Sequence, residues 1–125
     1  MWQKIVYLAI AGALGTLSRY GLSGLVHRLV STTFPLGTAV VNILGCLLFG
    51  LLWAVIELRL NIPVQLRIVI FLGFFGAFTT FSSFAFETAQ LIDDSQWFWA
   101  AANVLLQNSL GLLAMMAGLI VGKWI

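Results

Sequence analysis

A segment rich in hydroxyl groups and aromatic rings, residues 73–84, holds the side chains best suited to bind an ion. Phe81 and Phe84 are three positions apart, so on a helix both rings lie on one face, beside the hydroxyls of Thr80 and Ser83. Because an aromatic ring has a positive edge, ring edges beside hydroxyl donors attract an anion without a full positive charge. Such a lining suits conduction, since it binds an ion without trapping it.

Polar side chains in the neighbouring apolar segments extend this set. Thr38 and Asn42 are four positions apart and share a helical face. An amide in a membrane either bonds one helix to another or marks a permeation path. Arg19 either extends to the membrane interface or stands in a wet vestibule, where it attracts anions. Glu87 is predicted to pair with an arginine or with a buried hydroxyl. At least one of three consecutive polar residues should face the same interior: Gln107, Asn108 and Ser109.

The composition requires a membrane around these residues. The chain has 125 residues, of which 62% are hydrophobic and 8% charged, and its mean hydropathy is +1.07. A soluble domain of this size needs more polar surface, so the sequence predicts an integral membrane protein. The scattered net charge of +2 argues against nucleic acid as a partner. The sequence has no phosphate-binding loop, dinucleotide glycine pattern or carboxylate–histidine cluster, which argues against an enzyme.

Four apolar segments predict an all-α protein with a single four-helix transmembrane domain over residues 1–125. The predicted spans cover residues 3–25, 35–57, 63–91 and 97–123. The third span should break near residues 76–81, where hydroxyls that compete for backbone hydrogen bonds follow Gly73 and Gly76. Non-helical backbone survives in a membrane only where it is buried in protein or lines a cavity. The break therefore indicates the functional centre.

The charged residues define the orientation in the membrane only weakly. Four spans put both termini on one side, with four basic residues: Lys4, Arg59, Arg67 and Lys123. The opposite side has Arg28, and also Arg19 if it reaches that far. By the positive-inside rule this bias favours cytoplasmic termini, yet it also permits insertion in both orientations.

Three motifs, standing in the same order, resemble the Fluc/CrcB family of bacterial fluoride channels. They are GALGTLSRY at residues 12–20, GTAVVNILG at 37–45 and GFFGAFTTFSSF at 73–84. The specific part is the Thr-Thr-Phe-Ser-Ser-Phe core of the third motif, and the four-span layout covers essentially the whole chain. The resemblance implies a multi-pass channel of the bacterial inner (cytoplasmic) membrane that exports fluoride passively and so reduces its toxicity.

The resemblance also implies an assembly and a set of ion contacts. Two oppositely inserted subunits would form an antiparallel homodimer with two pores along its interface. A structural sodium ion would lie at the dimer centre on the backbone carbonyls of Gly76 and Thr79, a ligand type that suits a hard cation.

The fluoride pathway that the resemblance implies has four parts. They are the rings of Phe81 and Phe84, Asn42 as a donor to the ion, Ser82, Ser83 and Thr38 as a row of polar groups, and Arg19 in the vestibule. Two positions depart from the usual pattern without threatening the function: Ser83, which is often threonine, and Cys46, which is often another small residue.

Two other functions compete with a channel. A small multidrug-type proton-coupled exporter also has four spans and inserts both ways, but it needs a membrane-buried carboxylate. The first span has no acidic residue, and the one candidate, Glu87, lies toward a helix end.

A non-transporting subunit of a larger membrane complex would account for the many small residues. It would not account for a hydroxyl-rich break beside two aligned phenylalanines.

Overall fold

The computed structural model describes residues 2–125, and all the regular structure among them is helical. The helices are α1 (Trp2–Leu29), α2 (Leu36–Arg59), α3 (Val64–Ile68), α4 (Gly76–Phe78), α5 (Phe81–Asp93) and α6 (Trp97–Trp124), and a π-helical segment (Val69–Phe75) joins α3 to α4. Four stretches of the described chain are long and apolar enough to cross a membrane: Trp2–Leu29, Leu36–Arg59, Val64–Asp93 and Trp97–Trp124. The predicted all-α fold with four spans and an interrupted third span is confirmed.

The first helix extends beyond its predicted end. It continues to Leu29, whereas the predicted span ended at residue 25. His27 and Arg28 lie in its last turn, where basic side chains interact favourably with the unpaired carbonyls and the negative end of the helix dipole. The extra turn carries both side chains to the mouth of a cavity described below.

The second and fourth spans pack with their backbones close together. A Cβ atom added at Gly118 of α6 would meet the carbonyl oxygen of Leu47 and would lie 2.7 Å from the amide nitrogen of Leu51. On α2, a Cβ atom at Gly50 would meet the carbonyl oxygen of Met115. Small residues permit such approach in membranes, where dispersion contacts rather than water hold helices together. The backbones of α2 and α6 are therefore in direct contact at these positions.

Aromatic rings fill the space between α2 and the π-helical segment. The ring centroid of Phe49 lies 4.7 Å from that of Phe71 and 5.5 Å from that of Phe75. On the opposite side α1 approaches the segment closely, because a Cβ atom at Gly73 would lie 2.9 Å from Cβ of Ala11. These contacts hold the helix that leads to the break.

The break consists of Thr79 and Thr80, whose backbones are extended (φ −84°, ψ 156° and φ −148°, ψ 112°). The Thr80 hydroxyl accepts a hydrogen bond from the N–H of Ser83 at 3.2 Å and so caps the first turn of α5. The hydroxyl of Thr79 donates to the carbonyl of Phe75 at 3.0 Å. The predicted break is thus present, but Gly76 remains helical and the threonines interrupt the span. Side-chain hydroxyls that bond to the backbone are the physical cause.

Candidate functional site

A polar cavity of about 890 Å³ opens between α1, α2 and α5, on the side of the break where α1 ends. Its wall carries the basic side chains of Arg19, His27 and Arg28 and the carboxyl group of Glu87. Three of the hydroxyl residues predicted from the sequence line the same wall: Thr38, Thr80 and Ser83. With two arginines against one carboxylate, the cavity favours anions. Arg19 thus lies on the wall of a cavity, the second of the two positions predicted for it.

Glu87 binds a hydroxyl group, the second of the two partners considered for it. The Thr38 hydroxyl donates to Oε1 of Glu87 at 2.6 Å. The other carboxylate oxygen of Glu87 is buried and has no hydrogen-bond partner among residues 2–125. The hydrogen bond ties α2 to α5 across the cavity and fixes the position of the Thr38 side chain.

The two predicted rings lie together, and one of them is at the surface of the described chain. The ring centroids of Phe81 and Phe84 are 5.5 Å apart and the rings are tilted by 52°. Phe84 is buried, whereas Phe81 is 76% exposed and its neighbour Ser82 is also exposed. None of these three residues lines the cavity. The ring pair is therefore open on one side in the described chain.

A cluster of hydroxyls connects the cavity to the ring pair. Oγ1 of Thr80 lies 3.0 Å from Oγ of Ser83 and 3.4 Å from Oγ of Ser82. Thr80 and Ser83 face the cavity, while Ser82 is exposed beside Phe81. A row of neighbouring hydroxyls thus leads from the basic cavity to the ring pair.

Asn42 binds both backbone polar groups of Thr80 through its amide. Its Oδ1 accepts a hydrogen bond from the N–H of Thr80 at 2.8 Å, and its Nδ2 donates to the carbonyl of Thr80 at 3.2 Å. The second amide proton goes to Oε1 of Gln107 at 2.7 Å. In this conformation both amide protons of Asn42 bond to protein acceptors, so its implied role as a donor to the ion stays a prediction.

The backbone bonds at the break leave two carbonyls without their helical partners. In an α-helix the N–H groups of Thr80 and Ser83 would bond to the carbonyls of Gly76 and Thr79, four residues earlier. Here both N–H groups donate to side-chain oxygens, those of Asn42 and Thr80. The carbonyls so released belong to the two residues implied for a sodium site, and carbonyl oxygens are ligands that a hard cation accepts.

Comparison with known proteins identifies the family of the chain. The family model described as "CrcB-like protein, Camphor Resistance (CrcB)" matches residues 6–119. The chain belongs to the CrcB family. A relative from Nitrosococcus oceani is 54% identical over 123 residues, which cover 98% of both chains. Another from Desulforapulum autotrophicum is 49% identical over the full length of both chains. Both relatives bear the name "Fluoride-specific ion channel FluC".

Among the polar residues of α6 in this CrcB-family chain, Gln107 faces the protein interior. It is 7% exposed, whereas Asn108 and Ser109 are both exposed and Asn108 donates back to the carbonyl of Val104. Sequence reasoning missed Asn103, which is fully buried one turn before Gln107. The spacing held a signal, because residues 103, 107 and 111 are four positions apart and share one face of the helix.

Arg19 offers a direct test of the cavity electrostatics in this CrcB-family chain. We expect Arg19→Gln to lower fluoride efflux on the order of threefold at low salt, because the cavity loses one of its two arginines and attracts anions less strongly. The deficit should shrink near 1 M salt, where charges are screened over about 3 Å. Fluoride efflux from liposomes at both ionic strengths measures the effect. Arg19→Lys, which keeps the charge, should behave as the native protein, and an equal deficit at both salt concentrations would contradict this role.

Proposed function

We propose that the chain forms a channel that conducts fluoride selectively and passively out of the cytoplasm. The observation that carries the proposal is the row of hydroxyls that leads from a basic cavity to the ring pair of Phe81 and Phe84. Relatives that match the chain along its length are named fluoride-specific ion channels. The conduction involves no chemical transformation and needs no fuel.

The membrane potential supplies the driving force. Hydrogen fluoride is a weak acid that crosses membranes as the neutral molecule and ionises inside the cell. An interior-negative potential then drives the anion out, at about 2.3 kcal/mol per charge per 100 mV. The bacterial inner membrane, which carries such a potential, is therefore the location that we propose for this multi-pass protein.

The proposed fluoride pathway begins at the cavity and passes the break. Arg19 attracts the anion into the cavity, and the hydroxyls of Ser83 and Ser82 then replace part of its hydration shell. Thr38 joins them once its proton leaves Glu87, to which it now donates. The edges of Phe81 and Phe84 coordinate it next, and Asn42 donates to it once one of its present hydrogen bonds opens. Each contact is weak enough to let the ion leave again, as conduction requires.

We propose that a second copy of the chain, inserted in the opposite direction, covers the open side of the ring pair. Phe81 is largely exposed, and three polar residues of the third and fourth spans are exposed as well: Ser82, Asn108 and Ser109. Polar groups that face lipid are unfavourable, so a protein partner is expected to cover them. The weak charge bias permits both orientations. The mass of the purified protein should correspond to a dimer, and a monomer that conducts fluoride would contradict the proposal.

Sodium is the cation that we propose for the carbonyls of Gly76 and Thr79. Both carbonyls lack their helical N–H partners in the described chain, and two copies of the chain would bring four such oxygens together. Hard monovalent and divalent cations take oxygen ligands of this kind. Protein purified and reconstituted with a large organic cation in place of sodium should lose fluoride efflux. Full efflux under rigorously sodium-free conditions would contradict a structural sodium ion.

The primary experiment is ion efflux from liposomes that contain the purified protein, with fluoride and chloride electrodes used in parallel. We expect rapid fluoride release and no chloride release when a potassium ionophore balances the charge. Absence of fluoride release, together with proton-driven uptake of a cationic dye, would instead indicate an exporter. Glu87 would then be the carboxylate to examine, although in this conformation it is already bonded to Thr38.

A further inference from the structure

A chain of hydrogen bonds leads from the break in the third span to the middle of α6. The N–H of Thr80 donates to Oδ1 of Asn42 at 2.8 Å. Nδ2 of Asn42 donates to Oε1 of Gln107 at 2.7 Å, and Nε2 of Gln107 donates to Oδ1 of Asn103 at 2.8 Å. Three side-chain amides from two helices are thus connected in series.

The chain of hydrogen bonds then returns to α5 at Thr88 and ends at Phe84, four residues beyond its starting point. Nδ2 of Asn103 donates to the hydroxyl of Thr88 at 2.9 Å. That hydroxyl donates in turn to the carbonyl of Phe84 at 2.8 Å. The series begins at the backbone of Thr80 and ends at the backbone of Phe84, so it holds both ends of the turn that carries the ring pair.

All the donors in the series point in the same direction. A backbone N–H can only donate, so the Thr80 N–H requires the oxygen of Asn42 to face it. The amide nitrogen of Asn42 then faces Gln107, and the same reasoning fixes the orientation of Gln107 and Asn103 in turn. Hydrogen bonds aligned in this way polarise and strengthen one another.

The two amides of α6 lie where the loss of a partner has a large effect. Asn103 has no exposed surface and Gln107 is 7% exposed. Removal of either amide leaves a buried donor or acceptor without a partner, and such a group favours a rearrangement that restores its hydrogen bond. The element free to rearrange is the start of α5, because the break has already released it from α4.

We propose that Gln107 and Asn103 are positioning residues. Through this series of hydrogen bonds they hold Phe81 and Phe84 in their conducting geometry. The role rests on the proposed fluoride conduction, since it is defined by the place of the rings in the pathway. Neither amide contacts the ring pair directly. They act through Asn42 at one end and Thr88 at the other.

The first test compares two glutamines in reconstituted liposomes. Gln107→Met keeps the length of the side chain but ends the series, and it should lower fluoride efflux roughly tenfold, the effect of one lost buried hydrogen-bond partner. Gln90→Met is the matched control, because the Gln90 side chain is exposed and makes no hydrogen bond in the described chain. Native efflux in both variants would overturn the proposal.

The second test separates positioning from general stability. A protonated carboxyl at position 107 can still accept from Asn42 and donate to Asn103, whereas an ionised carboxylate can only accept. The Gln107→Glu variant should therefore conduct well in acid and poorly at alkaline pH. Other ionisable groups near the pathway are the same in both proteins: Glu87, His27 and the neighbouring arginines. Leakage from protein-free liposomes is therefore subtracted first, and the efflux of the variant at each pH is then divided by that of the native protein. A flat ratio would overturn the proposal, even where Gln107→Met fails to fold.

The third test uses non-additivity. Asn103→Leu and Gln107→Met interrupt the same series, so the double variant should conduct no more slowly than the slower single variant. Independent, multiplicative losses would overturn the series as a unit. Absence of fluoride efflux from the native protein would instead overturn the proposed function, and the positioning role with it.

Discussion

Phe81→Ile is expected to lower fluoride efflux roughly 100-fold, which corresponds to about 2.8 kcal/mol at 1.4 kcal/mol per tenfold change. Isoleucine keeps an apolar side chain at this exposed position but lacks a ring edge, so the electrostatic attraction for an anion disappears. Fluoride efflux from liposomes, measured at equal protein content, gives the effect. The size of the purified assembly should stay the same.

Phe86→Ile is the matched control for the ring edge. Phe86 lies on the same helix and is 63% exposed, but it forms no ring pair in the described chain. Its replacement should leave fluoride efflux within about twofold of the native rate, as surface substitutions away from special features usually have effects within ±0.5 kcal/mol. Native efflux in Phe81→Ile would show that ring edges do not coordinate the ion.

Gly118→Ala is expected to have the largest effect on the stability of the fold. The new Cβ atom would meet backbone atoms of Leu47 and Leu51 on α2, which cannot move aside as a side chain can. Overpacking of this kind costs about 3 kcal/mol, a large fraction of the stability of a small protein. Unfolding of the purified protein in detergent, followed by circular dichroism, measures the change.

Gly21→Ala makes the same chemical change where there is room for it. Apart from its own helix, no part of the described chain lies within 4 Å of a Cβ atom built at Gly21. Alanine also favours helix by up to about 1 kcal/mol over glycine, so this variant should unfold at or above the native midpoint. Equal destabilisation by the two substitutions would exclude close α2–α6 packing as the cause.

The sequence predicted those features that local chemistry determines. Hydroxyls that compete with the backbone predicted the break at Thr79 and Thr80, and the spacing of Phe81 and Phe84 placed both rings together. Gly118 and Gly122 are four positions apart and so share a face of α6, and the structure places α2 against that face. Each of these inferences needed only residues within one turn of one another.

The features that sequence reasoning missed depend on how helices are rotated about their axes. A polar residue on α6 can face a neighbour, a pore or lipid, and a few degrees of rotation decide among these. From the sequence, Gln107 is therefore one of three candidates to face the interior, and Asn103 is missed. The exposure of Phe81 and the opening of the cavity at His27 likewise depend on contacts between spans. A helical sequence pattern does not contain those contacts.

The π-helical segment Val69–Phe75 has a consequence for how the length of this protein varies in evolution. Its hydrogen bonds run from residue i to i+5, so each turn holds one residue more than an α-helical turn. Loss of one residue there would return the segment to α-helix and leave α3 and α4 facing as they do now. The same deletion within α6 would rotate every later side chain by about 100°. Family members whose third spans differ in length by one residue are therefore expected to gain or lose it between Val69 and Phe75.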